Sequence, residues 1–185
     1  FFILIGFVGS VTAQKKEKIE IRRSNSAEVN SSIAGGARRF LGNVVFEHNK
    51  ATMYCDSAYF FSGINIMHAY GHVHISRGDT LHLYGDYLEY NGNTDIGKVR
   101  YNVRLVDEDA TLYTDSLDFN TATNIAYYFN GGKIINNENQ LVSQTGFYYA
   151  NEDMVVYNDS VVVTNPDYTI YTDTLKYNTS IETTF

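Results

Sequence analysis

From Gly42 onward, apolar residues recur at every second position in short runs, and polar turns separate these runs. Val44 with Phe46 and Val73 with Ile75 are two such pairs, followed by the turns "EHNK" and "SRGD". Alternation of this kind predicts β-strands with one buried face and one wet face. Tyrosine and phenylalanine are abundant, which also favours strands. The pattern therefore predicts an all-β fold.

The chain also repeats itself. "TLYTDSLDFN" at 111–120 returns as "TIYTDTLKYN" at 169–178, two spacings of about 29 residues later. Such self-similarity indicates one supersecondary unit stacked on copies of itself, here with two strands per unit. Five units are expected, the last cut short by the end of the sequence. They begin near Gly42, Gly71, Tyr101, Asn130 and Asp159.

An aspartate marks the second strand of each unit. The column holds Asp56, Asp86, Asp115 and Asp173, with Gln144 in the fourth unit. Apolar residues lie three positions before it and two after it, and a regular strand cannot bury both sets on one face. A small residue precedes each member of the column, which predicts a β-bulge or sharp bend at that point. The aspartates are predicted to be structural, accepting hydrogen bonds from backbone N–H groups freed by the corner.

The predicted interior consists of the apolar columns on either side of this corner. Its members are Val44, Phe46, Met53, Phe60, Val73, Ile75, Leu83, Leu88, Tyr90, Val103, Leu105, Leu112, Leu117, Phe119, Ile134, Leu141, Tyr148, Val161, Val163, Ile170, Leu175 and Tyr177. Two positions before the aspartate column, tyrosines are predicted to face outward or to lie at an edge. These are Tyr54, Tyr84, Tyr113 and Tyr171. The columns alone are compatible with a dry packed core or with a groove that takes an acyl chain.

The N-terminal part differs from the repeats. "FFILIGFVGSVTA" at residues 1–13 has the apolar run and small-residue end of a secretory signal peptide, truncated at its start. A buried strand or an anchor helix is the alternative for this segment. Residues 14–41 form a basic and polar segment, and residues 24–37 within it are expected to be a flexible linker or an irregular first strand. The repeat domain is expected to span residues 42–185.

Charge and cysteine content narrow the function classes. The net charge is −7, and about half of the 14 basic residues lie in 15–23 and at 38–39. The folded part is therefore acidic, which argues against nucleic acid as a partner. The single cysteine, Cys55, cannot form an internal disulfide and has no nucleophile motif around it.

Catalytic and metal-binding patterns are weak. Four histidines fall within one unit, namely His68, His72, His74 and His82. A zinc site would need further ligands in tetrahedral array, so solvent-facing strand histidines are the preferred interpretation. The glycine-rich nonapeptides of calcium-binding β-rolls are absent, as are hydrolase, P-loop and dinucleotide motifs. We expect no enzyme, no metal and no cofactor.

Two units carry a family resemblance. "GNVVFEHNKATMYCDSAYFF" and "GHVHISRGDTLHLYGDYLEYNGNT" resemble the G-x-V-x-[IL]…L-x-x-D-x-L-x-Y repeat of the OstA-like family, over roughly 42–177. The resemblance implies a periplasmic β-jelly roll whose apolar columns hold the acyl chains of lipopolysaccharide. It also implies end strands that pair with neighbouring jelly-roll transport proteins and an outer-membrane partner, at or near that membrane.

The fourth unit departs from this repeat, with Gln144 in the aspartate column and Gly146 in the leucine column. Its corner is expected to be looser or to mark a groove opening. The alternative function is an extracellular structural or adhesive β-solenoid with a dry core. Solenoids need polar capping repeats, and the sequence ends at "IETTF" within a unit, which suits head-to-tail pairing or a truncated sequence instead.

Overall fold

The computed structural model describes residues 18–29, 36–79, 81–107, 110–178 and 183–184. The predicted signal peptide and the tip of the predicted turn at 106–109 lie outside these residues. The strands are β1 (Glu20–Arg23), β2 (Ser26–Val29), β3 (Arg38–His48), β4 (Ala51–Phe61), β5 (Ile66–Arg77), β6 (Leu81–Asn91), β7 (Ile96–Asp107), β8 (Ala110–Asn120), β9 (Ile125–Tyr128), β10 (Gly132–Asn136), β11 (Asn139–Ser143), β12 (Thr145–Tyr149), β13 (Met154–Asn165), β14 (Tyr168–Asn178) and β15 (Thr183–Thr184). The prediction of an all-β fold is confirmed.

The strands form one 15-stranded sheet in which neighbouring strands are antiparallel. Strands β3 to β8 follow each other as long hairpins, and β13 with β14 forms another. The short strands β1 and β2 both pair with β3. Of the residues 24–37 that were expected to be a flexible linker or an irregular first strand, Ser26–Val29 is a strand, and residues 30–35 lie outside the described residues.

A line of β-bulges crosses the sheet at the level of the aspartate column. Leu41 pairs with Ser57 and Val44 with Cys55, so Gly42 and Asn43 together face Asp56. The same shift recurs at Gly71–His72, Tyr101–Asn102 and Asp159–Ser160, all of which have positive φ. The prediction of a register shift is confirmed. The extra residue, however, lies on the strand that pairs with the aspartate strand, and not on the aspartate strand itself just before the aspartate. Because two residues face one at this level, the inward-facing positions before the aspartate and those after it are no longer an even number of residues apart.

At the third-to-fourth unit boundary and within the fourth unit, four short strands (β9 to β12) replace two long ones, so the expectation of two strands per unit is wrong there. Strand β8 pairs with both β9 and β10, and β13 pairs with both β11 and β12. The breaks fall at 129–131 and at Gln144, on the bulge line. Backbone hydrogen bonds from Gly131 N to Gln144 O and from Gln144 N to Asp159 O keep the ladder continuous across the break.

The sheet is folded over itself. Asn49, in the β3–β4 turn, donates from Nδ2 to Asp95 Oδ1 at 3.3 Å, although the β6–β7 turn that holds Asp95 lies at the opposite end of the hairpins. The backbone N–H of Ile19 likewise donates to Asn65 Oδ1 in the β4–β5 turn, at 3.2 Å. One apolar cluster that extends from Ile19 to Val161 fills the space enclosed by this fold.

Candidate lipid-binding interior

The predicted apolar columns line the inside of the folded sheet. On β4, Met53 is 3% exposed and Ala58 is fully buried, although their positions differ in parity. The bulge line therefore lets the apolar side chains before and after the aspartate face the same interior, as the sequence pattern predicts. Buried members of the predicted set are Val44, Phe46, Met53, Phe60, Val73, Ile75, Leu83, Leu88, Tyr90, Val103, Leu117 and Val161.

Burial of these columns falls along the chain. In the first two units every predicted position is buried, with Phe46 and Leu88 at 0% exposure. From the third unit on, most positions are only partly buried and pack against the edge of the core. These are Leu105, Leu112, Phe119, Ile134, Leu141, Val163 and Leu175. Tyr148 and Tyr177 are also partly buried. The interior is thus closely packed at its N-terminal end and more accessible at its C-terminal end.

Ile170 is a correction to the predicted interior, because its side chain is 42% exposed. It lies on β14, which pairs with β13 on one side along its whole length. On its other side, β14 pairs in the described residues only with β15, at Tyr177 and Asn178. Among the described residues, no second strand therefore pairs with the part of β14 that contains Ile170.

The gap that Gly146 leaves in the leucine column is filled by an aromatic ring. Tyr128, on the neighbouring strand β9, is 3% exposed, and a Cβ placed on Gly146 would lie 2.4 Å from its ring. A Cβ on Gly132 would meet the same ring at 2.5 Å. Tyr128 also hydrogen bonds to Ser143, and burial raises its pKa to about 12. The fourth unit is thus packed differently from its neighbours, without a vacant position at Gly146.

A buried histidine closes the N-terminal end of the interior, and sequence analysis did not identify it. His48 has a side chain that is 1% exposed, with Nε2 at 3.5 Å from Asp95 Oδ1 and its ring edge-on to Tyr90 at 5.3 Å between centroids. Its other nitrogen, Nδ1, is buried without a hydrogen-bond partner among the described residues. His48 continues the alternation of Val44 and Phe46, and that continuation was the signal that could have placed it inside.

The aspartate column lies on the outside of the bulge line. Asp56 Oδ2 is 2.7 Å from His72 Nδ1, and Asp86 Oδ2 accepts from Asn102 Nδ2 at 2.6 Å. These donors are side chains of the bulge residues, not the backbone N–H groups that sequence analysis expected. The difference arises because the bulge belongs to the facing strand, whose side chains reach across to the carboxylate. Asp115 and Asp173 are likewise exposed, at the same level.

The four histidines lie on the outer face, as preferred from the sequence, but they do not form one cluster. His74 stacks on Tyr84 with centroids 4.5 Å apart, and its Nε2 is 3.1 Å from His82 Nδ1. His72 contacts Asp56, which raises the pKa of its imidazole, whereas burial and the neighbouring His82 lower the pKa of His74. Across the described residues, no group of three or more His, Cys, Asp or Glu side chains could hold a metal ion.

The outer face also carries a partly buried ion pair that the sequence did not reveal. Arg100 Nη1 is 2.6 Å from Asp118 Oδ1, and the Tyr127 hydroxyl donates to Asp118 Oδ2 at 3.1 Å. The Arg100 guanidinium lies over the Phe129 ring at 5.4 Å. This contact fastens the break between β9 and β10 onto β7 and β8. Of the predicted outward tyrosines, Tyr54, Tyr113 and Tyr171 are exposed, as expected.

Burial of Cys55 raises the pKa of its thiol to about 12, which makes it an inert interior residue. Within the part of the chain that the structure covers, no helix is long and apolar enough to cross a membrane.

Comparisons with known proteins agree with this geometry. Curated protein sequences give no match. Among solved structures, the chain is similar to LptH of Pseudomonas aeruginosa, the LptA-homologous periplasmic component of the lipopolysaccharide transport device, with a TM-score of 0.52 and 13% identity. That alignment covers 57% of this chain and 80% of LptH, and shows that the two share a fold. The sequence model of the family described as OstA-like protein matches residues 16–173. The chain therefore belongs to the OstA-like family.

Proposed function

We propose that this protein is a non-enzymatic, periplasmic lipopolysaccharide-transport protein whose jelly roll holds lipid acyl chains in its interior. Membership of the OstA-like family and the fold shared with LptH support this assignment. The observation that carries it is the fall in burial along a single set of apolar columns. Packing is complete around Phe46 and incomplete around Leu112, Leu141 and Val163.

A partly open apolar interior suits an acyl chain. Burial of apolar surface is favourable by roughly 25 cal/mol per Å², so side chains left partly exposed at the C-terminal end would be stabilised when a lipid covers them. Phe40, Phe46 and Phe60 pack edge to face and fill the N-terminal end of the interior. An acyl chain would be stabilised less at this end, because little apolar surface is left exposed there. In the proposal, acyl chains occupy the half of the interior between β8 and β14.

Edge pairing is the second part of the proposal. The part of β14 that pairs with only one strand among the described residues presents backbone groups together with the exposed side chains of Tyr168, Ile170 and Tyr171. An unpaired strand edge is a template for another strand. The partners in this proposal are other jelly-roll transport proteins and an outer-membrane protein, so that interiors join end to end.

Photo-crosslinking tests the lipid site. A photoreactive residue at Leu141 faces the interior, whereas one at the adjacent Val142 faces outward, because Val142 is 44% exposed. Phe119 and Tyr113 form a second matched pair on β8. We expect lipopolysaccharide adducts in cells from Leu141 and Phe119 and few from Val142 and Tyr113. Equal labelling within both pairs would refute an internal lipid site, and absence of all adducts would favour a structural solenoid with a dry core.

A further inference from the structure

Tyr101 is an outlier on the outer face. Its φ is +63°, a conformation that is costly for a bulky side chain, and its side chain is 63% exposed. At the same place in the bulge line, Gly42 and Gly71 adopt φ of +73° without this cost. Asp159 takes the corresponding place with φ of +65°, so folding alone favours glycine or a short polar residue here, and a bulky exposed aromatic ring is unusual at this position.

Tyr101 belongs to a shallow, open depression on the outer face, called the cleft below. The cleft has a volume of about 450 Å³ and is lined by Tyr70, Asp86, Tyr87 and Tyr101. Tyr70 and Tyr87 pair across β5 and β6, with ring centroids 5.2 Å apart and planes inclined by 53°. Three strands thus place three tyrosines side by side, and Tyr70 is also 41% exposed.

The polar groups of the cleft are held in position. The Asp86 carboxylate accepts from Asn102 Nδ2 at 2.6 Å, which fixes it between the two bulges that flank it. The Tyr87 hydroxyl lies 2.7 Å from His68 Nδ1. A carboxylate oxygen can accept further hydrogen bonds, and a phenol can both donate and accept. The floor is thus aromatic, and a fixed acceptor lies at its rim.

We propose that this cleft binds a neutral saccharide built of hexopyranose units. A sugar ring has an apolar C–H face, which packs on the exposed phenol ring of Tyr101, and an equatorial set of hydroxyls, which donate to Asp86. An anionic ligand fits poorly, because Asp86 and Asp56 are close and the chain carries a net charge of −7. The cleft opens away from the apolar columns, so it is separate from the proposed lipid interior and does not depend on it.

Calorimetric titration of the purified protein with maltohexaose, cellohexaose and chitohexaose tests the proposal. We expect at least one of these to bind, and Tyr101→Gly to weaken that binding by about two- to tenfold, the scale of one lost stacking contact. The melting temperature of Tyr101→Gly should be equal or higher, because glycine relieves the positive φ. Asp86→Asn should also weaken binding, since it removes the charged acceptor.

Tyr113→Ala is the matched control, because Tyr113 is an exposed outer-face tyrosine outside the cleft and its loss should leave binding unchanged. Failure of all three oligosaccharides to bind overturns the proposal, as does undiminished binding by Tyr101→Gly. A photoreactive residue at Tyr70 that labels a protein in the cell envelope instead of a glycan would likewise overturn it.

Discussion

Left-handed backbone conformations recur at the residues of the bulge line. Gly71 has φ of +73°, and a Cβ on it would lie 2.4 Å from Asp56 Oδ2. Gly71→Ala should therefore lower the free energy of unfolding by about 1–2 kcal/mol through the left-handed backbone, with a further steric cost. Urea unfolding measures this difference, and Gly63→Ala is the control because nothing lies within 4 Å of its Cβ position.

Asp56→Ala separates the two contributions at Gly71. Alone it should change stability by no more than about 0.5 kcal/mol, because Asp56 and His72 are both well exposed. Combined with Gly71→Ala it should remove most of the steric part, because only the Cβ of residue 56 remains, at 3.2 Å, and leave the backbone part. Full recovery in the double variant would mean that strain at φ contributes nothing.

At the scale of the element, the fourth unit depends on Tyr128 in place of the missing leucine. Gly146→Leu restores the residue type of the column but inserts a side chain where the Tyr128 ring already lies. Overpacking of this kind should cost about 1–3 kcal/mol in unfolding experiments. Tyr128→Ala with Gly146→Leu should recover part of that loss. If Gly146→Leu alone is neutral or stabilising, then the unit is loose and the packing described above is wrong.

Across β4 to β7, a ladder of stacked rings makes stability depend on pH. Tyr54, His74 and Tyr84 stack in order, and the Arg104 guanidinium lies over Tyr84 at 4.5 Å. Burial first, and then His82 and Arg104, lower the pKa of His74 below its ordinary value of 6.5. The unfolded chain therefore binds the proton first as the pH falls, so this stability is complete above 6.5 and declines below it.

His74→Phe tests that dependence, because it keeps a ring in the ladder and removes the titrating group. Chemical unfolding at about pH 7.5 and about pH 5 should show a smaller loss of stability in the variant than in the parent protein. His72→Asn is the control. Its imidazole has a raised pKa beside Asp56, so it loses stabilisation as the pH rises, and its removal should not reduce the acid loss. An unchanged acid loss in His74→Phe would exclude His74 as its source.

For the whole molecule, the fall in burial from β3 to β14 predicts a matching fall in resistance to local opening. Amide hydrogen exchange should be slowest in β4, β5 and β6, which have long neighbours on both sides. It should be fastest in the part of β14 that includes Ile170, where apolar contacts are few. The β13 strand, paired on both sides, is the internal reference. Equal protection of β5 and β14 would contradict the conclusion that one end of the interior is closely packed and the other is more open.

Sequence patterns predicted much of this architecture because alternation and turn chemistry are local. The strands, the columns and the change of parity between Met53 and Ala58 could all be predicted from neighbours a few residues apart. Which strand carries the extra residue of the bulge could not be predicted, because the pairing of two residues with one is a property of two strands together. The contact between Asn49 and Asp95 joins turns from different hairpins, and nothing near either residue indicates it.

The sequence likewise predicted most, but not all, of the residues that face the candidate interior. Residues such as Leu88 and Val103 were placed inside correctly, because every second position of a half-buried strand faces the core. The exposure of Ile170 was not foreseen, since it depends on which strands cover an edge rather than on the residue's own pattern.

The constant level of the bulge line has a consequence for length. Because the bend lies at the same height in successive hairpins, a hairpin added or removed at a turn preserves which side chains face inward. Each such change alters the long axis of the sheet by two strand spacings, about 10 Å. Gene duplication can therefore change the reach of such a protein in fixed steps while its cross-section, and so the width of what fits inside it, stays the same.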